Sequence, residues 1–292
     1  MPDYSAFKNK IRLIALDLDG TLLNSDGKVS GRTLSSLMRA ADRGAKIVLV
    51  SGRPPQGLVE SARTLSLLSE SYAVCFNGSM LLRLDDFFTH GDKPKNSVTH
   101  SDFRYDSIFE VSSPLRDIAP VFESAVRNGL DRHAYSATRY LLIENDNEYA
   151  LKECRVAHAW QYTDFSTSDP DELYYKFLIV GEASGIDTFR QSMDRRVWDV
   201  FDVMQTDKNF LEFIPHKYNK GRMLLKLCEI LGYSGSEAAA FGDGENDLSM
   251  LNAVGLGVCM ANGMDVLKKN AKFITGSNDE DGVAMVLDEI FD

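Results

Sequence analysis

An apolar run at residues 11–16 ends in Asp17-Leu18-Asp19-Gly20-Thr21. Two carboxylates one residue apart stand where a buried strand should stop. In extended backbone, residues i and i+2 point to the same side, so Asp17 and Asp19 are expected to serve one site. Burying two like charges side by side is costly unless a cation neutralises them. The economical reading is a magnesium site with a carboxylate nucleophile at its centre. The competing reading of a lone Asp-x-Asp is a pair of turn or cap carboxylates.

The rest of the chain supplies a setting for that site. Residues 31–43 read as a helix, with Leu34, Leu37, Met38 and Ala41 on one face and Gly44 ending it. Residues 46–50 form a second short apolar run. Another helical pattern follows Gly57, and a strand at 73–76 is closed by Asn77-Gly78. The C-terminal part repeats the rhythm: helix 221–232, strand 238–241, helix 245–253, strands 255–260 and 273–275, and helix 282–291. Strands alternating with helices predict a parallel sheet with crossover helices.

The middle differs. A helix is expected over 115–128, strands over 133–136 and 139–143, and a strand over 173–180. A helix at 185–195 follows, then a hairpin of 197–206 and 209–214 around Asp207-Lys208. This order predicts an α+β unit inserted into the α/β domain. The charged segment 85–104, with Gly91 and Pro94, is expected to begin the insertion as a loop.

A net charge of −11 over 292 residues argues against general nucleic-acid or membrane-surface binding. It leaves room for a small phosphorylated ligand in a locally positive pocket. Cys75, Cys154, Cys228 and Cys259 include no CxxC pair and read as reduced thiols of a cytoplasmic protein. The N-terminus carries no signal-peptide pattern, and no stretch approaches the ~20 apolar residues of a membrane span.

Three further motifs fall on strand or helix ends. Ser51-Gly52-Arg53 follows strand 46–50, and ligands of an open parallel sheet bind beyond the carboxyl ends of its strands. The Ser51 hydroxyl and Gly52 amide can donate to a phosphate oxygen; an ordinary Ser-Gly turn is the alternative. Lys220 opens a helix and can place a point charge on phosphate, with Lys217 competing for the role. Gly242-Asp243-Gly244-Glu245-Asn246-Asp247 follows strand 238–241. Asp243 can supply a magnesium oxygen, Asp247 can orient metal-bound water and Asn246 can donate an amide hydrogen bond. Helix capping would explain one of these carboxylates but not the cluster. The spacing excludes an EF-hand.

Other residues read as structural. His90, His100, His133, His158 and His216 show no metal-ligand spacing. Tyr174-Tyr175-Lys176-Phe177 reads as sheet packing. Acidic residues 278–282 read as a helix N-terminal cap.

Taken in order, DLDGT, SGR, a lysine and GDGEND resemble the haloacid dehalogenase-like phosphatases. Val258-Cys259-Met260-Ala261-Asn262-Gly263 and the 277–284 segment are similar to the Cof-type branch with a type IIB cap. The resemblance implies a doubly wound, Rossmann-like α/β core at 1–84 and 212–292, with an inserted α+β cap at 85–211. It implies Asp17 as nucleophile and magnesium ligand, and Asp19 as general acid/base touching the metal through its carbonyl. Ser51, Gly52, Lys220 and Asn246 would hold the phosphoryl group, and Asp243 and Asp247 would complete the Mg2+ site. Arg53, Asn77 and Gly78 would lie at the substrate mouth. The His216-Lys217-Tyr218-Asn219 lead-in to Lys220 departs from the family's usual small residues. The implied activity is hydrolysis of small phosphorylated metabolites such as sugar phosphates through an aspartyl-phosphate. A phosphomutase on the same core and a non-catalytic binding protein are the alternatives. Oligomeric state is not readable.

Overall fold

The computed structural model describes residues 4–65, 70–84, 107–137, 140–157 and 160–292. The expected loop at 85–104, with His90 and His100, lies outside these residues, as does His158.

An eight-stranded sheet forms the core. Its order is Phe273–Ile274, Leu256–Cys259, Ala238–Gly242, Leu13–Leu16, Lys46–Val50, Tyr72–Cys75, Met80–Arg83 and Ser107–Glu110. The first six strands run parallel; Met80–Arg83 runs against them, and Ser107–Glu110 pairs antiparallel to Met80–Arg83. Leu13–Leu16 and Ala238–Phe241 are fully buried, as strands covered on both faces must be. Ile14 and Leu16 pack with Leu37, Val286 and Ile290 from helices Gly31–Asp42 and Gly282–Phe291. Leu13 and Ala15 pack with Met223, Leu224 and Leu227 of helix Lys220–Leu231. The sheet is therefore doubly wound. From Leu13–Leu16 the chain steps outward to Lys46–Val50, and it returns on the other side as Ala238–Gly242. The crevice between those directions is where such folds bind ligands.

The second sheet is the expected α+β insertion. Its order is Phe201–Asp207, Phe210–Pro215, Leu173–Val180, Asp131–Ser136, Leu141–Ile143 and Trp160–Tyr162, with Ser113–Pro114 also pairing Leu173–Val180. Helices Leu115–Arg127 and Ala183–Ser192 bury Ile118, Phe122, Ile186 and Phe189 against one face. The other face carries Tyr135, Leu178 and Phe210 into the same apolar cluster as Phe76 of the core. The Phe76 ring lies 5.2 Å from those of both Tyr135 and Tyr175.

Several expectations need correction. Ser107–Glu110 pairs with Met80–Arg83 on the core sheet, and all of Phe210–Pro215 belongs to the second sheet. The strands of the second sheet thus all fall within 113–215. The expected strand at 197–206 begins with a helical turn, Val197–Val200. The Asp194 carboxylate and carbonyl take the amides of Arg196 and Val197, and this local turn overrides β-branched propensity. Helix Glu148–Ala157 and strand Trp160–Tyr162 have no counterpart among the expected elements. The helix buries only small side chains, Ala150, Cys154 and Ala157, which leaves a faint apolar stripe. Its signal was Asn147, whose side chain accepts from the Ala150 amide as an N-cap does.

Candidate active site

The strand register sets Asp17, Ser51 and Asp243 just beyond the carboxyl ends of three adjacent strands, because Leu16 pairs with both Phe241 and Leu49. The Asp17 amide donates to the Phe241 carbonyl (3.1 Å), which fixes where its side chain enters the crevice. Asp17 Oδ1 accepts from Lys220 Nζ at 2.6 Å, and the same ammonium donates to Asp247 Oδ1 at 2.6 Å. Asn219 caps the helix by accepting from the Arg222 amide, so Lys220, wholly buried, is fixed in the first turn. Lys217 is exposed, and the competition between the two lysines resolves to Lys220.

Asp247 Oδ2 accepts from the amides of Asp243 and Gly244, both at 2.9 Å. It thereby shapes the turn that presents Asp243. Asp17, Asp243 and Asp247 each offer an oxygen within 4.8 Å of the others. Gly20, at φ +78°, closes the crevice: a Cβ there would stand 2.4 Å from Asp243 Oδ2. Thr21 Oγ1 donates to Asp243 Oδ1 at 2.8 Å.

Two carboxylates share one ammonium with a third beside them, and the electrostatics follow. Burial pushes the Asp17 carboxyl well above the usual carboxylate range; Asp247 adds to this and Lys220 opposes it. Burial, then Asp247, pushes Asp243 up to about 6. Burial works against the Lys220 charge, yet Asp17 and Asp247 hold its pKa above the ordinary lysine value. A compact set of oxygens with excess negative charge is the donor chemistry of a hard divalent cation, so these residues fit one.

Asp19 stands apart from the cluster. The strand ends at Leu16, so the two-residue strand period does not govern it. Its carboxylate instead meets Arg53, with Nε at 2.8 Å and Nη2 at 2.5 Å. Arg53 also donates to the Gly57 carbonyl, so it is anchored at both ends. Ser51 Oγ accepts from the Arg53 amide at 3.1 Å. Phe76, Asn77 and Gly78 all have positive φ, and a Gly78 Cβ would meet the Tyr218 carbonyl at 2.3 Å. That turn presses the buried Asn77 side chain against Gly52, where a Cβ would lie 3.0 Å from Asn77 Nδ2. Asn246 Nδ2 donates to Asn77 Oδ1 at 3.0 Å.

Residues 262 and 278–281 brace the loop that follows Asp17. Asn262 Nδ2 donates to the Gly20 carbonyl (2.7 Å), and Asn278 Nδ2 to the Leu23 carbonyl (2.8 Å). Asp279 accepts from Ser25, and the Asp281 carboxylate from Ser30 rather than its own helix. The acidic run is thus a strap across the chain, and the N-cap Asp281 makes no side-chain bond to the helix it was expected to cap. His216 pairs with Asp202 and His133 is buried in the second sheet; neither joins the carboxylates.

Lys176, read from the sequence as sheet packing, and Glu212, which no motif marks, sit inside apolar strands, and a charge there must find a partner. Lys176 Nζ reaches Glu212 Oε1 and the Gly52 carbonyl, each at 3.1 Å.

A doubly wound core with carboxylates at its topological switch point, under an inserted α+β cap, defines a class of α/β proteins with a ligand site on the carboxyl rim of the sheet. A family model described as haloacid dehalogenase-like hydrolase matches residues 14–287, and the chain belongs to that family. A haloacid dehalogenase-like hydrolase structure from Bacteroides thetaiotaomicron is 32% identical, with TM-score 0.76, covering 96% of this chain and 99% of that one. The 5-amino-6-(5-phospho-D-ribitylamino)uracil phosphatase YitU of Bacillus subtilis is 28% identical over 293 residues, 97% of this chain and 99% of its own. A HAD subclass IIB sugar phosphatase structure, 18% identical with TM-score 0.76, covers 95% of this chain and 98% of its own; at that identity it speaks for the fold alone.

Proposed function

We propose that the protein is a magnesium-dependent phosphatase that hydrolyses small phosphorylated metabolites of the sugar-phosphate kind through an aspartyl-phosphate on Asp17. One observation carries this reading: a buried lysine holds Asp17 and Asp247 at 2.6 Å each, with Asp243 beside them, on the ligand-binding rim of the sheet. Asp17, Asp243, Asp247 and the Asp19 carbonyl would hold the cation. Bound there, it supplies positive charge to the transferring phosphoryl oxygens.

The chain's own residues do the rest. Asp17 attacks phosphorus, and the bond to the leaving oxygen breaks as Asp19 donates a proton to it. Asp19 then takes a proton from the incoming water as the Asp17–phosphorus bond breaks. Lys220, the Ser51 hydroxyl, the Gly52 amide and Asn246 hold the phosphoryl oxygens, which is the positioning and charge neutralisation this chemistry demands. Arg53, Asn77 and Gly78 flank the entry. The 113–215 unit serves as the cap that excludes bulk water and meets the leaving group. The substrate class is supported by one relative's name, which puts phosphate on a ribityl chain. Four free, buried cysteines fit a cytoplasmic setting. Among the described residues no helix is long and apolar enough to cross a membrane.

Phosphate release from a panel of sugar phosphates and p-nitrophenyl phosphate, with magnesium or with chelator, tests the reading. Magnesium-dependent release is expected, and its absence across the panel overturns the reading. Asp243→Ala should weaken magnesium activation by at least about tenfold in the half-saturating concentration; an unchanged titration would place the metal elsewhere.

The raised carboxyls also predict a pH dependence. A carboxyl whose folded pKa exceeds its unfolded value binds its proton more tightly in the folded state. Its stabilising effect is present at low pH and is lost as pH rises from 3.8 to about 6 for Asp243. A cation must displace these protons. Magnesium should therefore raise the melting temperature at about pH 7.5 much more than at about pH 5. Equal shifts at both pH values would mean that Asp17 and Asp243 are not the ligands.

A further inference from the structure

The cap-borne pair Lys176 and Glu212 is buried against the loops that carry Gly52 and Asn77. Glu212 Oε1 accepts from Lys176 Nζ at 3.1 Å and from Thr206 Oγ1 at 3.0 Å. Its Oε2 accepts from Asn77 Nδ2 at 2.6 Å, and Asn77 Oδ1 accepts from Asn246 Nδ2 at 3.0 Å. An ionised carboxylate only accepts. Asn77 must therefore turn its NH2 to Glu212 and its oxygen to Asn246, and Asn246 must turn its NH2 inward. One N–H of Asn246 remains for a phosphoryl oxygen, and its own oxygen is kept from that place. Stability alone does not account for the pair, since an apolar pair at a buried position is often as stable as an ionic one. What a carboxylate adds is direction.

We propose that Glu212 is a positioning residue: it sets the orientation of Asn77 and, through it, of Asn246, so that cap docking arms the amide that grips phosphate. The catalytic half of this inference rests on the role given to Asn246 above.

Glu212→Gln tests it sharply. Lys176 can only donate and will take the glutamine oxygen, to which the Thr206 hydroxyl can also donate, leaving the glutamine NH2 to face Asn77. Both asparagine amides must then invert, and Asn246 presents an oxygen to phosphate. We expect kcat/KM for p-nitrophenyl phosphate to fall about tenfold or more, while Glu212→Asp, which keeps the acceptor, retains more activity than Glu212→Gln. In an Asn246→Ala background, Glu212→Gln should cost less than about threefold further. A full, multiplying loss in that background, or an aspartate variant worse than the glutamine one, overturns the proposal.

A second readout needs no turnover. With 15N-asparagine labelling, Glu212→Gln should shift the side-chain amide signals of both Asn77 and Asn246; movement of Asn77 alone overturns the relay. If wild type releases no phosphate, the phosphatase reading fails while this measurement still decides the relay. Should Glu212→Gln fail to fold, Asn77→Ala breaks the same chain at its middle link. Its kinetic loss should likewise vanish in the Asn246→Ala background, and persistence of that loss overturns the proposal.

Discussion

Asp17→Asn should lower phosphatase turnover by about 10⁴-fold or more without unfolding the protein. The amide is nearly isosteric with the carboxylate but is not a competent nucleophile toward phosphorus, so no aspartyl-phosphate forms. Stability should move the other way. Burial and the neighbouring Asp247 both work against ionised Asp17, and the amide removes that charge. Lys220 loses one partner but keeps Asp247. In chelator, the variant should therefore melt at or above the wild-type temperature at about pH 7.5, where the wild-type penalty is greatest. Magnesium should raise its melting temperature less than it does for wild type, because one ligand oxygen has lost its charge. Phosphate release and thermal melts, with and without magnesium, make the comparison. A variant with near-normal rate would remove Asp17 as nucleophile. A variant that melts far below wild type in chelator would mean that Asp17 is chiefly a structural partner of Lys220.

Much of the core was legible because its strands are short, almost wholly apolar and followed at once by residues that cannot be buried cheaply. Leu13–Leu16, Lys46–Val50 and Ala238–Gly242 each hand over to a polar motif, and a parallel sheet gathers those ends on one rim. Asp17, Lys220, Asp243 and Asp247 therefore meet although up to 230 positions separate them. The direction of Asp19 was not legible, because the chain leaves the strand before Asp17 and a tertiary partner, Arg53, decides where the side chain goes. The second sheet was harder for a related reason. Glu148–Ala157 buries only small residues, and Val197–Val200 is held by bonds from Asp194. Lys176 and Glu212 gave a signal, a charge inside an apolar strand, but not its meaning. Their partners Gly52 and Asn77 lie 124 and 135 positions away, and no local pattern encodes a contact between two sheets.

Lys220→Met should give the largest loss of stability, because the ammonium is the only cation within hydrogen-bonding reach of Asp17 and Asp247 among the described residues. Removing the lone cation from a buried cluster of carboxylates costs about 3–5 kcal/mol, since the remaining charges stay buried and unpaired. For a chain of this size that corresponds to a melting temperature lower by about 10 °C. The sign of its pH dependence follows from Lys220 opposing the upward shift of Asp17. Without that opposition the Asp17 carboxyl rises further, so the variant folds best at acidic pH, where the proton neutralises the site, and weakens as pH increases. The gap to wild type should be small at about pH 5 and full at about pH 8. Adding Asp17→Asn to Lys220→Met should recover part of the lost stability, because it removes one of the two stranded carboxylates; the effects are coupled rather than additive. Magnesium should also restore part of the loss, although turnover stays low because the point charge on the phosphoryl group is gone. Melts of the single and double variants across pH decide the matter. A Lys220→Met protein within about 2 °C of wild type at pH 8 would mean that the carboxylates tolerate one another without it. The balance of three acids against one base would then not govern this site.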